Sequence, residues 1–237
     1  MTKLSVNINK VATIRNARGG DVPNVLLAAQ RIEAFGAHGI TVHPRPDERH
    51  ITYNDVRELS RLVKTEFNIE GYPSRDWLDL VIEAKPTQAT LVPDPPGVLT
   101  SNAGWNTLQH GAFLSEVLSE LKSYGIRTSV FIETNFQLID GAKAVGADRV
   151  ELYTESYATQ FIADKNAAVD PFSKAANHAD EVGLGVNAGH DLSLDNLAFF
   201  AENVKPLHEV SIGHALISDA LYFGLENTVQ MYLSKLS

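Results

Sequence analysis

Cysteine is absent from the 237 residues, which excludes disulfides and thiolate metal sites and makes a reducing cytosol the natural compartment. Cations are scarce: 20 Lys and Arg face 29 Asp and Glu, for a net charge of −9. Nucleic acid is therefore an unsuitable partner, because binding a phosphate backbone needs a basic face. No run approaches the roughly 18 apolar residues of a membrane span, so no membrane partner is expected. The N-terminus enters a strand of alternating polarity with no apolar signal-peptide core, and the expected location is cytoplasmic. Low-complexity tracts and Pro/Ser-rich linkers are also missing, so a single domain over residues 1–237 is the economical reading.

What is present is a hydrophobic composition of 44%, enough for a full core, in a chain close to the ~250 residues of one (β/α)₈ barrel. Leu4, Val6 and Ile8 alternate with polar residues as a first strand. The next residues, to the paired Gly19-Gly20, read as an anion-binding segment carrying Lys10, Arg15 and Arg18. Val25, Ala28, Ala29, Ile32 and Phe35 then share a helical face. Strand readings follow at 39–43, 67–71, 89–93, 128–132, 149–153, 184–188 and 209–212. Helices are read at 54–65, 74–84, 107–124, 136–145, 171–182 and 194–203, with apolar helical sequence to Leu236. Gly36, Gly125, Gly146 and Gly183 stand where helices stop shortly before the next strand. Eight strands alternating with eight helices predict a single-domain α/β TIM barrel. An open doubly wound sheet is the runner-up, but no G-x-G-x-x-G follows the first strand.

Barrel enzymes build their sites at the C-terminal strand ends. Those ends carry Asn7, Asn9 and Lys10, then His43 and Arg45, then Glu70, with Thr100 in the loop after strand four. His190 ends strand seven and Gly213-His214 follow strand eight. A single histidine after a strand is more often a cap or a satisfied loop residue, so the weight lies on three histidines and a glutamate at equivalent ends. Lys10, Arg15, Arg18, Arg45 and Arg49 fall in two segments read as adjoining loops at the barrel mouth. For Arg15 and Arg49 a solvated surface face competes evenly. Arg18 and Arg45 fit phosphate, which the guanidinium fork grips bidentately. Two cationic segments suggest two anionic groups, and the glycines at 189 and 213 suit backbone phosphate binding, with ordinary loop glycines as the competing reading. Glu70 ends an apolar strand and is followed at once by glycine, as a proton acceptor would be; holding His43 or Arg45 in place is the competing role. Glu133 and Glu151 are weaker candidates, Glu151 as a buried partner for a loop cation. A metal site is not expected, since Asn7-Ile8-Asn9 replaces the paired histidines that metal-dependent barrel hydrolases usually carry there. A Schiff-base lysine is missing from strands five to eight, which leaves Lys10 as the only plausible amine.

V-N-I-N-K-V-A-T-I-R-N-A-R-G, G-I-T-V-H-P-R-P-D-E-R-H-I-T, N-I-E, L-V-P, V-N-A-G-H and I-G-H-A-L-I resemble the pyridoxine 5′-phosphate synthase family across essentially the whole chain. The resemblance implies a (β/α)₈ barrel with extra helices, assembled as a homo-octamer, without metal or organic cofactor. It implies condensation of 1-deoxy-D-xylulose 5-phosphate with 3-amino-2-oxopropyl phosphate to pyridoxine 5′-phosphate, inorganic phosphate and water. His43, Glu70 and His190 match the family's acid–base groups. Asn7, Arg18, Asp191, Gly213 and His214 match its aminoketone-phosphate contacts. Asn9, Lys10, Arg45, His50 and Thr100 match its sugar-phosphate contacts.

Three positions depart from the family pattern. Asn9 stands where many members carry Asp, Lys10 where many carry His, and Asp191 where Gly is usual. If position 191 needs positive φ, Asp tolerates it better than most residues, but a carboxylate beside a phosphate would have to point away. Residues 93–104 are the expected lid. Competing functions are a non-catalytic sugar-phosphate-binding barrel and a single-substrate phosphosugar isomerase or aldolase.

Overall fold

A computed structural model describes residues 1–94 and 103–237. Eight parallel strands close in sequence order: β1 (Lys3–Asn7), β2 (Gly39–Val42), β3 (Glu66–Gly71), β4 (Gln88–Leu91), β5 (Arg127–Ile132), β6 (Arg149–Tyr153), β7 (Gly185–Gly189) and β8 (Glu209–Ile212). Closure is made by β8 on β1, with Lys3 opposite Glu209 and Val6 opposite Ile212. It removes the open edges of the doubly wound alternative.

Around the barrel lie α1 (Asn9–Arg18), α2 (Val25–Ala34), α3 (Tyr53–Leu62), α4 (Arg75–Ala84), α5 (Gly111–Ser123), α6 (Phe136–Ala144), α7 (Glu155–Phe161), α8 (Lys165–Glu181), α9 (Leu197–Asn203), α10 (His214–Phe223) and α11 (Leu225–Ser234). The glycine stops behave as expected: Gly36, Gly125, Gly146 and Gly183 all take positive φ. Each is followed by an N–H reaching back to the preceding turn, as Ile126 N–H does to the Leu121 carbonyl at 3.3 Å.

Two readings are corrected. The helix read at 171–182 begins at Lys165 as α8, and α7 precedes it where a loop was expected. The anion-binding segment after the first strand is not a loop but helix α1, so Lys10, Arg15 and Arg18 are helical residues. Its buried positions are Val11, Ala12 and Arg15. An arginine takes the third place on the apolar stripe, which hides the helical period from a hydrophobicity pattern. That arginine is tolerated because Asp55 receives Nη1 at 2.6 Å and Nη2 at 2.8 Å, while the His50 carbonyl takes Nη2 at 3.1 Å. Asp55 is itself held in place by a reciprocal cap with Thr52 at the start of α3.

Alternation along the strands separates two environments. Leu4, Val6, Ile40, Val42, Ile69, Val130, Ile132, Val186 and Ile212 pack under the helices as the hydrophobic core. The opposite faces, turned into the barrel, are polar where barrels usually carry Val, Ile and Leu. At the N-terminal end Glu66 accepts from Lys3 and, at 2.5 Å, from Arg127. A middle layer follows, in which Asn187 donates across the barrel to Gln88 at 3.4 Å and Thr90 donates to Asn68 at 3.0 Å. The top layer opens into a cavity.

Candidate active site

A cavity of about 770 Å³ sits at the C-terminal strand ends, within the range of small-molecule sites. Asn7, Asn9, Lys10, His43, Arg45, His50, Glu70, His190, Asp191, Gly213 and His214 all line it. Arg18 does not; it is exposed at the last turn of α1. Thr100 and most of the expected lid lie outside the described residues. Sequence reasoning overlooked Ser211, Val92, Phe131 and Thr13, which also line the cavity. Ser211 was legible in principle, since it shares parity with Glu209 on β8 and with Gly213 just past it.

Glu70 stands at the centre. Its Oε2 lies 3.4 Å from Asn7 Nδ2, which donates to it, and 3.8 Å from His43 Nδ1. Its Oε1 accepts from Ser211 Oγ at 3.5 Å. Burial pushes the Glu70 carboxyl up to about 7, with the nearby His190 charge and the Ser211 bond opposing. The glycine behind it has a physical reason: a methyl at Gly71 would fall 2.0 Å from the Trp77 indole nitrogen. That indole N–H donates to the Glu70 carbonyl at 3.1 Å and fixes the backbone of the carboxylate.

The histidines are pushed in opposite directions. His43 is buried, and burial, then Arg45, His50 and His190, hold it well below its ordinary value as a neutral ring. His50 falls to about 4 through burial and the nearby Arg45, Arg49 and Lys10 charges. His190 moves the other way, raised by a bond from Nδ1 to Asp191 Oδ2 at 3.1 Å against the opposing effect of burial. Groups whose surroundings drive them apart in this way suit opposite proton-transfer roles. Glu151, expected as a partner for a loop cation, instead feels burial first and then the carboxylates Glu70 and Glu209, which push it well above its ordinary range.

The departures can be placed. Asn9 Oδ1 accepts the His43 N–H at 2.9 Å, so it orients the histidine's backbone through a carbonyl oxygen. Lys10 lines the cavity from the first turn of α1. Positive φ falls on His190, at 71°, and not on Asp191, whose carboxylate is turned to His190. Arg45 Nη2 lies 3.4 Å from Asp94 Oδ2, with both residues buried. Among the described residues no group of three or more histidines and carboxylates is arranged to hold a metal ion.

Gly189 allows β7 and β8 to close at the mouth, because an added Cβ would lie 2.3 Å from the Ser211 carbonyl oxygen. Gly189→Ala is expected to lower stability by about 1–3 kcal/mol and to displace both His190 and Ser211. A fall in the urea midpoint together with lost turnover checks this; an unchanged midpoint rules it out.

A closed barrel with a buried carboxylate, histidines pushed in opposite directions and cations around one mouth defines an enzyme of the (β/α)₈ class with a site suited to acid–base chemistry. The chain belongs to the family described as pyridoxal phosphate biosynthesis protein PdxJ, whose model matches residues 4–237. A relative from Christiangramia forsetii named pyridoxine 5′-phosphate synthase is 61% identical over 236 residues, covering 100% of both chains. One of the same name from Bacteroides fragilis is 62% identical over 232 residues, covering 98% of each. Solved structures at low identity share only the fold. An Aquifex aeolicus protein has a TM-score of 0.66 at 14% identity, covering 99% of this chain and 92% of its own. Tryptophan synthase from M. tuberculosis has a TM-score of 0.65 at 13% identity, with the same two coverages.

Proposed function

We infer that this chain acts as a pyridoxine 5′-phosphate synthase, condensing 1-deoxy-D-xylulose 5-phosphate with 3-amino-2-oxopropyl phosphate. The products are pyridoxine 5′-phosphate, inorganic phosphate and water. The observation that carries the reading is the convergence of Glu70, His43 and His190 on one cavity in three different protonation environments. The aminoketone supplies the nitrogen of the imine, so no catalytic lysine is required. What remains for the protein is to hold two phosphates and to move protons during imine formation, dehydration, phosphate elimination and ring closure.

The sugar phosphate is assigned to Asn9, Lys10, Arg45, His50 and Thr100, on the side of the mouth where the cations gather. The aminoketone phosphate is assigned to Asn7, Gly213 and His214, with Asp191 bordering the subsite; Arg18, exposed at the end of α1, joins this assignment by family resemblance alone. Gly213 caps the ten-residue helix α10, whose first N–H groups favour an anion. In this assignment Glu70 removes carbon-bound protons, neutral His43 accepts protons from oxygen or nitrogen, and His190 donates them. Formation of fluorescent pyridoxine phosphate, with phosphate released from the substrate pair but from neither alone, tests the reading. Turnover of a single substrate would favour an isomerase or aldolase. Tight binding without product would favour a sensing barrel.

The pH dependence has a definite sign. Glu70 must be ionised, so turnover rises as pH passes about 7. His190 must be protonated, so turnover falls again above its raised value. A bell with its acid limb near 7 is expected in kcat; an acid limb at ~4–5, the ordinary carboxylate range, would show that burial does not raise Glu70 in the working enzyme.

Assembly as a homo-octamer in the cytoplasm completes the proposal. Leu221, Tyr222 and Phe223 at the end of α10 are 71%, 84% and 48% exposed, an apolar surface that assembly would cover. No helix among the described residues is long and apolar enough to cross a membrane. Light scattering of the purified protein tests the octamer.

A further inference from the structure

The end of β7 has an unusual construction. The Asp191 N–H donates to the Gly189 carbonyl at 3.0 Å, closing a three-residue turn across His190. His190 sits at φ 71°, where a residue with a side chain is seldom found and where the backbone is strained. Such a conformation persists only if its surroundings hold it. The wholly buried Thr154, just past β6, does so from below. Its hydroxyl donates to the Gly189 carbonyl and accepts from the Asp191 N–H at 3.3 Å, gripping both ends of the turn. From the other side Asn196 Nδ2 donates to the Asp191 carbonyl at 3.2 Å, while its Oδ1 accepts from the Ser193 N–H at 2.8 Å. Asn196 is in turn secured by the Tyr157 hydroxyl, which donates to its carbonyl at 2.7 Å.

The consequence is geometric. With the turn held, Asp191 Oδ2 lies 3.1 Å from His190 Nδ1. A carboxylate at Nδ1 keeps the proton on that nitrogen and leaves Nε2 to face whatever occupies the cavity, as oriented histidines do in acid–base and metal sites. The ring also meets the Tyr153 ring edge-on, at 5.9 Å between centroids. We propose that Asp191 is a positioning residue that fixes the tautomer and orientation of His190, and that Thr154 and Asn196 are the supports that keep the pair aligned. Resting on the assignment of His190 as proton donor, this gives Asp191 a role toward the histidine in place of a direct phosphate contact. A carboxylate engaged by an imidazolium also presents less repulsion to a nearby phosphate than a lone one.

Asp191 beside it, Glu70 on β3 and Asp94 after β4 raise His190 against burial, and His43 after β2 and the Tyr153 phenol on β6 also face it. Asp191 contributes both the hydrogen bond and a charge, so its removal has the largest expected effect on the ring.

The test reads the ring directly in the full chain labelled with ¹⁵N-histidine, with His190→Gln used only to assign the signal. In the native protein the neutral His190 should be protonated at Nδ1. In Asp191→Ala it should shift toward the Nε2–H form and titrate at lower pH. Asp191→Asn should lower the titration through loss of charge alone. Thr154→Val should reproduce part of the shift, and Thr154→Ser should restore the native signal. With both substrates saturating, Asp191→Ala should lose about tenfold or more in kcat. Its basic limb should move to lower pH while KM for the aminoketone phosphate stays constant. A His190 signal unchanged in Asp191→Ala would overturn the proposal, as would a changed KM with an unmoved pH profile. Because the nuclear magnetic resonance arm needs no substrate, absence of synthase activity would overturn the functional reading while leaving this arm decisive.

Discussion

Glu70→Gln is expected to lower kcat by a factor of about 10²–10⁴, the usual worth of a positioned general base, with little change in either KM. The substitution keeps side-chain length and can still meet Asn7 Nδ2 and Ser211 Oγ, so the cavity stays filled. It replaces a group that burial already drives toward neutrality by one that is always neutral. Thermal stability should therefore hold or rise slightly while turnover collapses, a pairing that separates loss of chemistry from loss of fold. Steady-state kinetics with both substrates saturating, beside a thermal melt, decides the matter. Near-normal turnover would mean that Glu70 is not the proton acceptor and that its place among Asn7, His43 and Ser211 is structural.

The second large effect concerns stability. Arg15 and Asp55 form a two-pronged pair with side chains only 10% and 8% exposed. Removing one partner leaves the other charge buried, at a cost of about 3–5 kcal/mol. Asp55→Ala should be the worse variant, because it also removes the bond to the Thr52 N–H at 2.8 Å and with it the cap of α3. The Arg15→Met, Asp55→Leu double variant should recover much of the loss, since no charge is then stranded. Urea unfolding of Arg15→Met, Asp55→Leu and the double variant checks this; additive losses would show that the pair is not coupled. Arg15 also ties α1 to the His50 carbonyl, so Asp55→Ala should weaken binding on the side of Arg45 and His50. Burial would raise the Asp55 carboxyl, but the Arg15 bonds outweigh it and hold the group below its ordinary value. Its stabilising contribution is then present above the ordinary carboxylate range and is lost as pH falls through the depressed value.

Much of this was readable along the chain. Alternation in residues 3–8, glycine stops before strands and the strand–helix rhythm led to the barrel, because each is a local property of backbone and side-chain type. That His43, Glu70 and His190 would meet at one cavity was readable because strand ends in a barrel converge by construction. Helix α1 was not, since Arg15 occupies an apolar position only by virtue of Asp55, forty residues away. The positive φ at His190 was not legible, because the γ-type turn across it is supported by Thr154 from another strand end and leaves no pattern in the segment itself.

By itself the sequence determined the family, the closed barrel and which chemical groups stand at which strand ends. Only the tertiary structure decided what those groups are to one another. Glu70 meets Ser211 across 141 residues of chain. Burial and then the Arg45, His50 and His190 charges lower His43, while the bond to Asp191 raises His190 against burial. Protonation state depends on desolvation and on charges a few ångströms away, and only the fold decides how deeply a group is buried and whether even an adjacent carboxylate, such as Asp191 beside His190, is turned towards it.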